Sequence, residues 1–131
     1  MKISTSVGYA LLAAGYLAKH QEQKIIKCDE ICNEYKIPVK YSFKILLRLV
    51  NGGVLSSNRG PHGGFSLSRP PTKINLLQII EAVDGPMSNK LYNEEDAKAE
   101  KLCKQVEQIY EKAITQVKDV FQKVTLSDLV K

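Results

Sequence analysis

The sequence predicts a mainly α fold with one small β-hairpin, and three observations carry that expectation. Apolar residues recur at three- and four-residue spacing over residues 4–20, 28–36, 38–50, 75–84 and 94–124, the period of one helix face. Only around residues 54–68 does the period fall to two, where Phe65, Ser66, Leu67 and Ser68 alternate apolar and polar. The turn inside that stretch holds Arg59, Gly60, Pro61, His62, Gly63 and Gly64. Its glycines supply positive φ and its proline fixes φ, as a hairpin tip requires.

The first helix, residues 4–20, places Val7, Ala10, Leu11, Ala14, Leu17 and Ala18 on one face, and Ser4, Thr5 and Ser6 offer N-caps. Gln21 to Lys24 is a polar connection. The second helix, 28–36, has Cys28, Ile31, Cys32 and Tyr35 on its apolar face. Asp29 and Glu30 sit in its first turn, where acids complement the helix dipole. Ile37-Pro38 opens a third helix with Pro38 in the tolerated first turn, and Asn51-Gly52-Gly53 stops it after Val50. Val39, Phe43, Leu46, Leu47 and Val50 are expected to face the core. Lys40, Tyr41, Lys44, Arg48 and Asn51 fill an opposing sector about 100° wide. That sector has three cations and no acid, whereas a solvated helix face usually mixes signs.

After the hairpin, Pro70-Pro71 ends the strand. Asn75 caps a short helix carrying Leu76, Leu77, Ile79, Ile80 and Val83, which Asp84-Gly85-Pro86 stops. Residues 86–92 form a polar linker. Asn93, followed by Glu94, Glu95 and Asp96, caps a last helix that runs to Val124, about 45 Å long. Ala99, Cys103, Val106, Tyr110, Ala113, Val117, Val120 and Val124 step alternately by four and three, and Leu102, Ile109 and Phe121 widen the stripe. This heptad-type seam needs a partner, read here as a second copy of the chain, with residues 4–20 sharing the interface. The expected division is residues 1–85 as the domain that holds the hairpin and 86–131 as linker and dimerisation helix.

Charge sharpens the functional reading. Residues 1–70 hold 10 Lys+Arg against 4 Asp+Glu, net +6, while residues 71–131 hold 9 against 10, net −1. The basic half contains the hairpin, which favours a polyanion partner. No apolar run approaches the roughly 20 residues of a membrane span, and the N-terminus lacks a secretory pattern. A cytoplasmic protein with no membrane partner is expected. The 3 cysteines lack framework spacing, which argues against a disulfide scaffold. Nucleophile elbow, phosphate-binding loop and HExxH are missing from the sequence, so no enzyme is expected. His20 and His62 lie far apart with no cysteine or acid at ligand spacing, so no metal site is expected. Cys28 and Cys32 are spaced to share a metal but lie with Ile31 and Tyr35, and read as small buried hydrophobes. Cys103, in the seam, is either packed there or a redox thiol.

Helix, turn, helix, then hairpin is the order of a winged helix-turn-helix, whose second motif helix enters a major groove with the hairpin wing alongside. Arg59 beside bare glycine backbone suits a narrow groove between phosphates, and His62 at the tip can reach a phosphate. The alternative is a protein-interaction dimer that regulates through a partner protein without binding DNA. It leaves the basic character of Lys40, Lys44, Arg48 and Arg59 unexplained.

Five stretches then carry a resemblance over nearly the whole chain: KISTSVGYALLA, IPVKYSFKILLRLVNGGVL, SSNRGPHGGFSLSRPP, INLLQIIEAVDGP and TLSDLV. Together they resemble the Rrf-two family of bacterial winged-helix transcription regulators. The resemblance implies a recognition helix beginning near Pro38, with Lys40, Tyr41, Ser42 and Lys44 on the DNA. It implies a wing that places Arg59 in the minor groove and is shaped by Gly60, Gly63 and Gly64, and a dimerisation helix from residue 94. It implies a repressor that binds a palindromic operator in double-stranded DNA as a homodimer. Cluster-holding members carry three cysteines between the short and long helices. Here that linker, PMSNKLYNEEDAKAEKL, has none, only Cys103 follows, and Glu107 stands near a ligand histidine of those members. One thiolate cannot supply the usual four-ligand set, so this member is expected to work without a cluster or other cofactor. Its signal is then a small ligand, a partner protein or a thiol modification. Phe43 replaces an acidic base-contacting residue of those members, and Ser6 replaces a lysine of many relatives, so the operator is expected to differ.

Overall fold

The structure, a computed structural model, describes residues 2–88, 90–92 and 101–131. The expected cap Asn93, the acids after it and Ala99 lie outside the described residues. Helix α1 (Thr5–Lys19) buries Val7, Ala10, Ala13, Ala14, Tyr16, Leu17 and Ala18. Four of these are alanines, so neighbouring helices can approach closely. Ser4 is the N-cap, but its side chain does not cap the helix. Its N–H and hydroxyl instead donate to the Asp84 carboxylate at 3.0 and 2.5 Å, which places an acid at the positive end of α1.

Helix α2 (Cys28–Tyr35) begins with Asp29 and Glu30 in its first turn, as expected, and ends at Lys36 in the left-handed region, φ 54°. The Tyr16 hydroxyl of α1 donates to Glu30 Oε2 at 2.7 Å. That bond, together with burial, pushes the Tyr16 phenol up to about 12. Pro38 is the N-cap of helix α3 (Val39–Asn51), one place before the first-turn position expected for it.

The core-facing side of α3 differs from the expectation. Ser42, Ile45, Leu46 and Leu49 are buried, while Val39, Phe43 and Leu47 are 53%, 48% and 40% exposed. Apolar residues surround more than half of this helix, so periodicity alone leaves its rotation open. Contacts with α1 and α2 on one side select the arc centred on Leu46. Leu46 and Leu49 then join Val7, Ile31 and Val54 in one core.

Strand β1 (Leu55–Asn58) pairs antiparallel with β2 (Gly64–Leu67) in the register Leu55 opposite Leu67 and Asn58 opposite Gly64. The connection before α2 is more than a polar link. Ile26 donates to the Phe65 carbonyl at 2.9 Å and accepts from its N–H at 2.8 Å, adding a one-residue bridge to the hairpin. After a single turn of 3₁₀ helix (Pro71–Lys73), Asn75 caps helix α4 (Leu76–Asp84). Its side chain and that of Gln78 exchange bonds with the backbone, both at 2.9 Å, a capping box.

Helix α5 is described from Lys101 to Lys123, and the short helix α6 (Leu126–Leu129) follows, capped reciprocally by Thr125 and Asp128. The Thr125 N–H bond holds the Asp128 carboxyl below its ordinary range. Asn75 and Thr125 bridge, Leu76 N–H donates to the Val124 carbonyl, and Leu126 N–H donates to the Ile74 carbonyl, the last two at 2.9 Å. Leu126 is fully buried in the main cluster. The C-terminal turn therefore shares one core with α1 to α4. The expected seam of α5 is also split. Ile114 is buried, and Tyr110, Val117 and Phe121 are half-buried on the side toward the domain. Leu102, Ile109 and Val120 are 64%, 71% and 60% exposed.

Leu126→Ala is expected to destabilise the whole chain by about 2–5 kcal/mol, read as a lower urea midpoint that coincides for helix content and tyrosine fluorescence. An unchanged midpoint would detach the C-terminal turn from the core.

Candidate nucleic-acid interface

Two elements present the expected site residues. The uncovered arc of α3 carries Lys40 and Lys44 into solvent, and the hairpin tip carries Arg59 and His62. Among the described residues none of these four is in an ion pair. Tyr41 shares the arc but is tethered. Its hydroxyl pairs with the Ser6 hydroxyl, and its ring meets Tyr9 edge-on with centroids 5.5 Å apart. Arg48 is exposed, yet its Nη1 donates to the Val83 carbonyl at 3.3 Å. It therefore braces the last turn of α4, where a cation complements the helix dipole. Ser42 must be corrected: it is 2% exposed and faces the core, with its side chain against Cys28.

The wing is held by its glycine geometry and by hydrogen bonds to its tip and base. At Gly60, φ is 103°, a conformation that disfavours any side chain. Cβ atoms at Gly63 and Gly64 would lie 2.2 Å from the Asn58 carbonyl oxygen and 2.6 Å from that of Ile26. The three wing glycines thus have separate structural reasons. Arg69 braces the hairpin base, its Nη1 donating to the Gly53 carbonyl at 2.7 Å and its Nε to the Lys73 carbonyl at 2.8 Å. Lys27 Nζ reaches the Pro61 carbonyl at 3.4 Å, fixing the tip from the other side. Lys27 and Arg69 were not among the expected site residues. Arg69 lies just beyond β2 in sequence, whereas Lys27 lies far before β1 and carries no local signal.

A groove runs between α3 and the wing, with Phe43 and Leu47 on one wall and Asn58, Arg59 and Gly60 on the other. A second, shallower one lies between α3 and the start of α2, lined by Cys28, Asp29, Val39, Lys40, Phe43 and Lys44. Cys28 is half-buried, with its Sγ 3.8 Å from that of buried Cys32. Burial first, and then the contact with Cys32, push the Cys28 thiol up to about 11. Cys103 is half-buried on α5.

A helix-turn-helix with unpaired cations on its second helix, beside a glycine-shaped hairpin bearing one arginine, defines a winged-helix DNA-binding protein. The chain belongs to the Rrf2 family, described as an iron-dependent transcriptional regulator, whose profile matches residues 3–131. It is a DNA-binding transcription regulator of that family. It is 34% identical to an Aquifex aeolicus protein provisionally named an HTH-type transcriptional regulator, over 99% of this chain and 92% of the other. It is 31% identical to CymR of Bacillus subtilis over 98% of this chain and 89% of CymR. The structure of that CymR, the global cysteine regulator of B. subtilis, superposes with a TM-score of 0.81 at 30% identity, covering 99% of this chain and 96% of CymR. IscR of T. potens has the same fold, with a TM-score of 0.76 at 23% identity over 99% of this chain and 86% of IscR.

The family description implies iron, and the donors described here do not fit it. No group of three or more His, Cys, Asp or Glu side chains among the described residues could hold a metal ion. Cys28 and Cys32 lie on α2 and Cys103 on α5. Glu107 accepts from the backbone N–H groups of Leu91 and Tyr92 at 2.9 and 3.3 Å, so its carboxylate is engaged.

With its thiol pushed up to about 11, Cys28 is almost entirely protonated at pH 8. Iodoacetamide labelling followed by mass spectrometry should find it slow at that pH and faster as pH rises toward 11. Rapid labelling at pH 8 would contradict this.

Proposed function

We propose that the chain is a cytoplasmic repressor, without enzymatic activity, that binds an imperfect palindrome as a homodimer and occludes a promoter. The observation that carries the DNA arm is the set Lys40, Lys44 and Arg59, exposed on α3 and the wing with no ion pair among the described residues. Uncommitted cations release counterions on meeting phosphates, which gives affinity. The helix enters a major groove while the wing arginine reaches the neighbouring minor groove. Gly60, Gly63 and Gly64 keep the wing backbone narrow, and His62 at its tip approaches a phosphate.

The dimer is supported by the outward stripe Leu102, Ile109 and Val120 on α5. In such a dimer two copies of α3 would meet successive major grooves, about 34 Å apart. Cys103, near the start of the described helix, is the thiol closest to this stripe in sequence. A small ligand or partner protein acting at the linker is an alternative signal.

Electrophoretic mobility shift on a duplex enriched from a randomised pool tests the DNA arm. Arg59→Ala should cost about 1–3 kcal/mol. Lys44→Ala should lower the slope of log affinity against log salt by about one unit. Binding unchanged in both variants would return the protein-interaction reading. Ile109→Glu should sediment as a monomer of normal helix content and lose most operator affinity, because each half-site loses the effective concentration of a linked second site. A stable dimer in that variant would move the interface off α5.

A further inference from the structure

The core uses Ser42, Ile45, Leu46 and Leu49 of α3, which leaves Val39, Phe43 and Leu47 outside it. These three recur every four residues and form a stripe along the open side of the helix. Lys40 and Lys44 flank it, each one residue further on. Phe43 lies at the centre and lines both grooves beside α3. Its ring meets Phe65 of the wing at a 71° interplanar angle with centroids 6.2 Å apart. That edge contact orients the ring without covering it.

A phenyl ring 48% exposed between two lysines must be explained by what covers it. A protein partner or a second copy would have to bury Lys40 and Lys44 with the ring, which costs free energy unless acids are supplied for both. A DNA duplex supplies those anions as phosphates on either side of the groove. Inside the major groove the base edges are hydrogen-bond donors and acceptors, with one exception. The 5-methyl group of thymine is apolar, and an aromatic side chain is a suitable contact for it.

We infer that Phe43 is a specificity-determining residue that reads a thymine 5-methyl group in each half-site, with Val39 flanking the contact. The inference rests on the DNA-binding reading and adds to it a base preference. The ring is pre-oriented by Phe65, so little side-chain freedom is lost on binding. Cytosine and the purines offer no methyl at that edge. Methyl contact alone is worth about three- to tenfold in affinity.

The test uses the full chain and the enriched duplex. Each thymine is replaced in turn by deoxyuridine, which keeps the base pair and its hydrogen bonds and removes only the methyl. Wild-type protein should lose about three- to tenfold in affinity at one or two positions per half-site. Phe43→Ala should bind the parent duplex more weakly and be indifferent to deoxyuridine at those positions. Phe43→Leu should keep part of the sensitivity, and Arg59→Ala should keep all of it while binding more weakly overall. Circular dichroism checks that the variants are folded, as expected for a side chain outside the core. A wild-type protein indifferent to every deoxyuridine would overturn the inference. So would a selected site without thymine, or unchanged sensitivity in Phe43→Ala. Each of these leaves DNA binding itself intact, whereas a pool from which no duplex is enriched overturns both.

Discussion

The rotation of α3 about its own axis is the constraint on which the rest of the structure depends. Ile45, Leu46 and Leu49 sink into the space between α1, α2 and α4, and that one choice sets what solvent meets. Because side chains advance about 100° per residue, fixing three of them fixes all thirteen. Lys40 and Lys44 point outward, Tyr41 falls beside α1, and Arg48 reaches the end of α4. The cationic face is thus a by-product of apolar packing on the opposite side.

The wing needs a separate brace, since a two-stranded hairpin is marginal alone. Its supports come from three residues outside the two strands. Ile26 adds a short bridge at Phe65, Lys27 holds the tip through the Pro61 carbonyl, and Arg69 holds the base through Gly53. Phe65 does two things at once. Its backbone belongs to this bridge, and its buried ring is the surface against which Phe43 is oriented. Helix and wing therefore share a joint.

Local chemistry was legible in the sequence and rotation was not. The Asn75 cap, the Asn51-Gly52-Gly53 stop, the first-turn acids of α2 and the glycine-shaped hairpin each act within a few residues. The order of helix, turn, helix and hairpin followed from them. Periodicity puts Val39, Phe43 and Leu47 in the core because α3 has two apolar arcs and only distant helices choose between them, and Ser42, placed on the DNA by resemblance alone, is buried by the same choice. The stripe on α5 was blurred for the same reason. Tyr110, Val117 and Phe121 answer to the domain behind them, while Leu102, Ile109 and Val120 do not. The return of Thr125 and Leu126 to Ile74 and Asn75 had no local signal beyond a second capping pattern.

That return has a consequence for how the protein is made. Leu126 fills a position among side chains contributed by α1 to α4 and the turns between them, and the bridge from Asn75 to Thr125 spans fifty residues of sequence. Contacts at such separation form late and slow folding. A chain emerging from the ribosome therefore carries α1 to α4 with one position of their core unfilled until residue 126 is free. The outward stripe of α5 is therefore synthesised before that position can be filled.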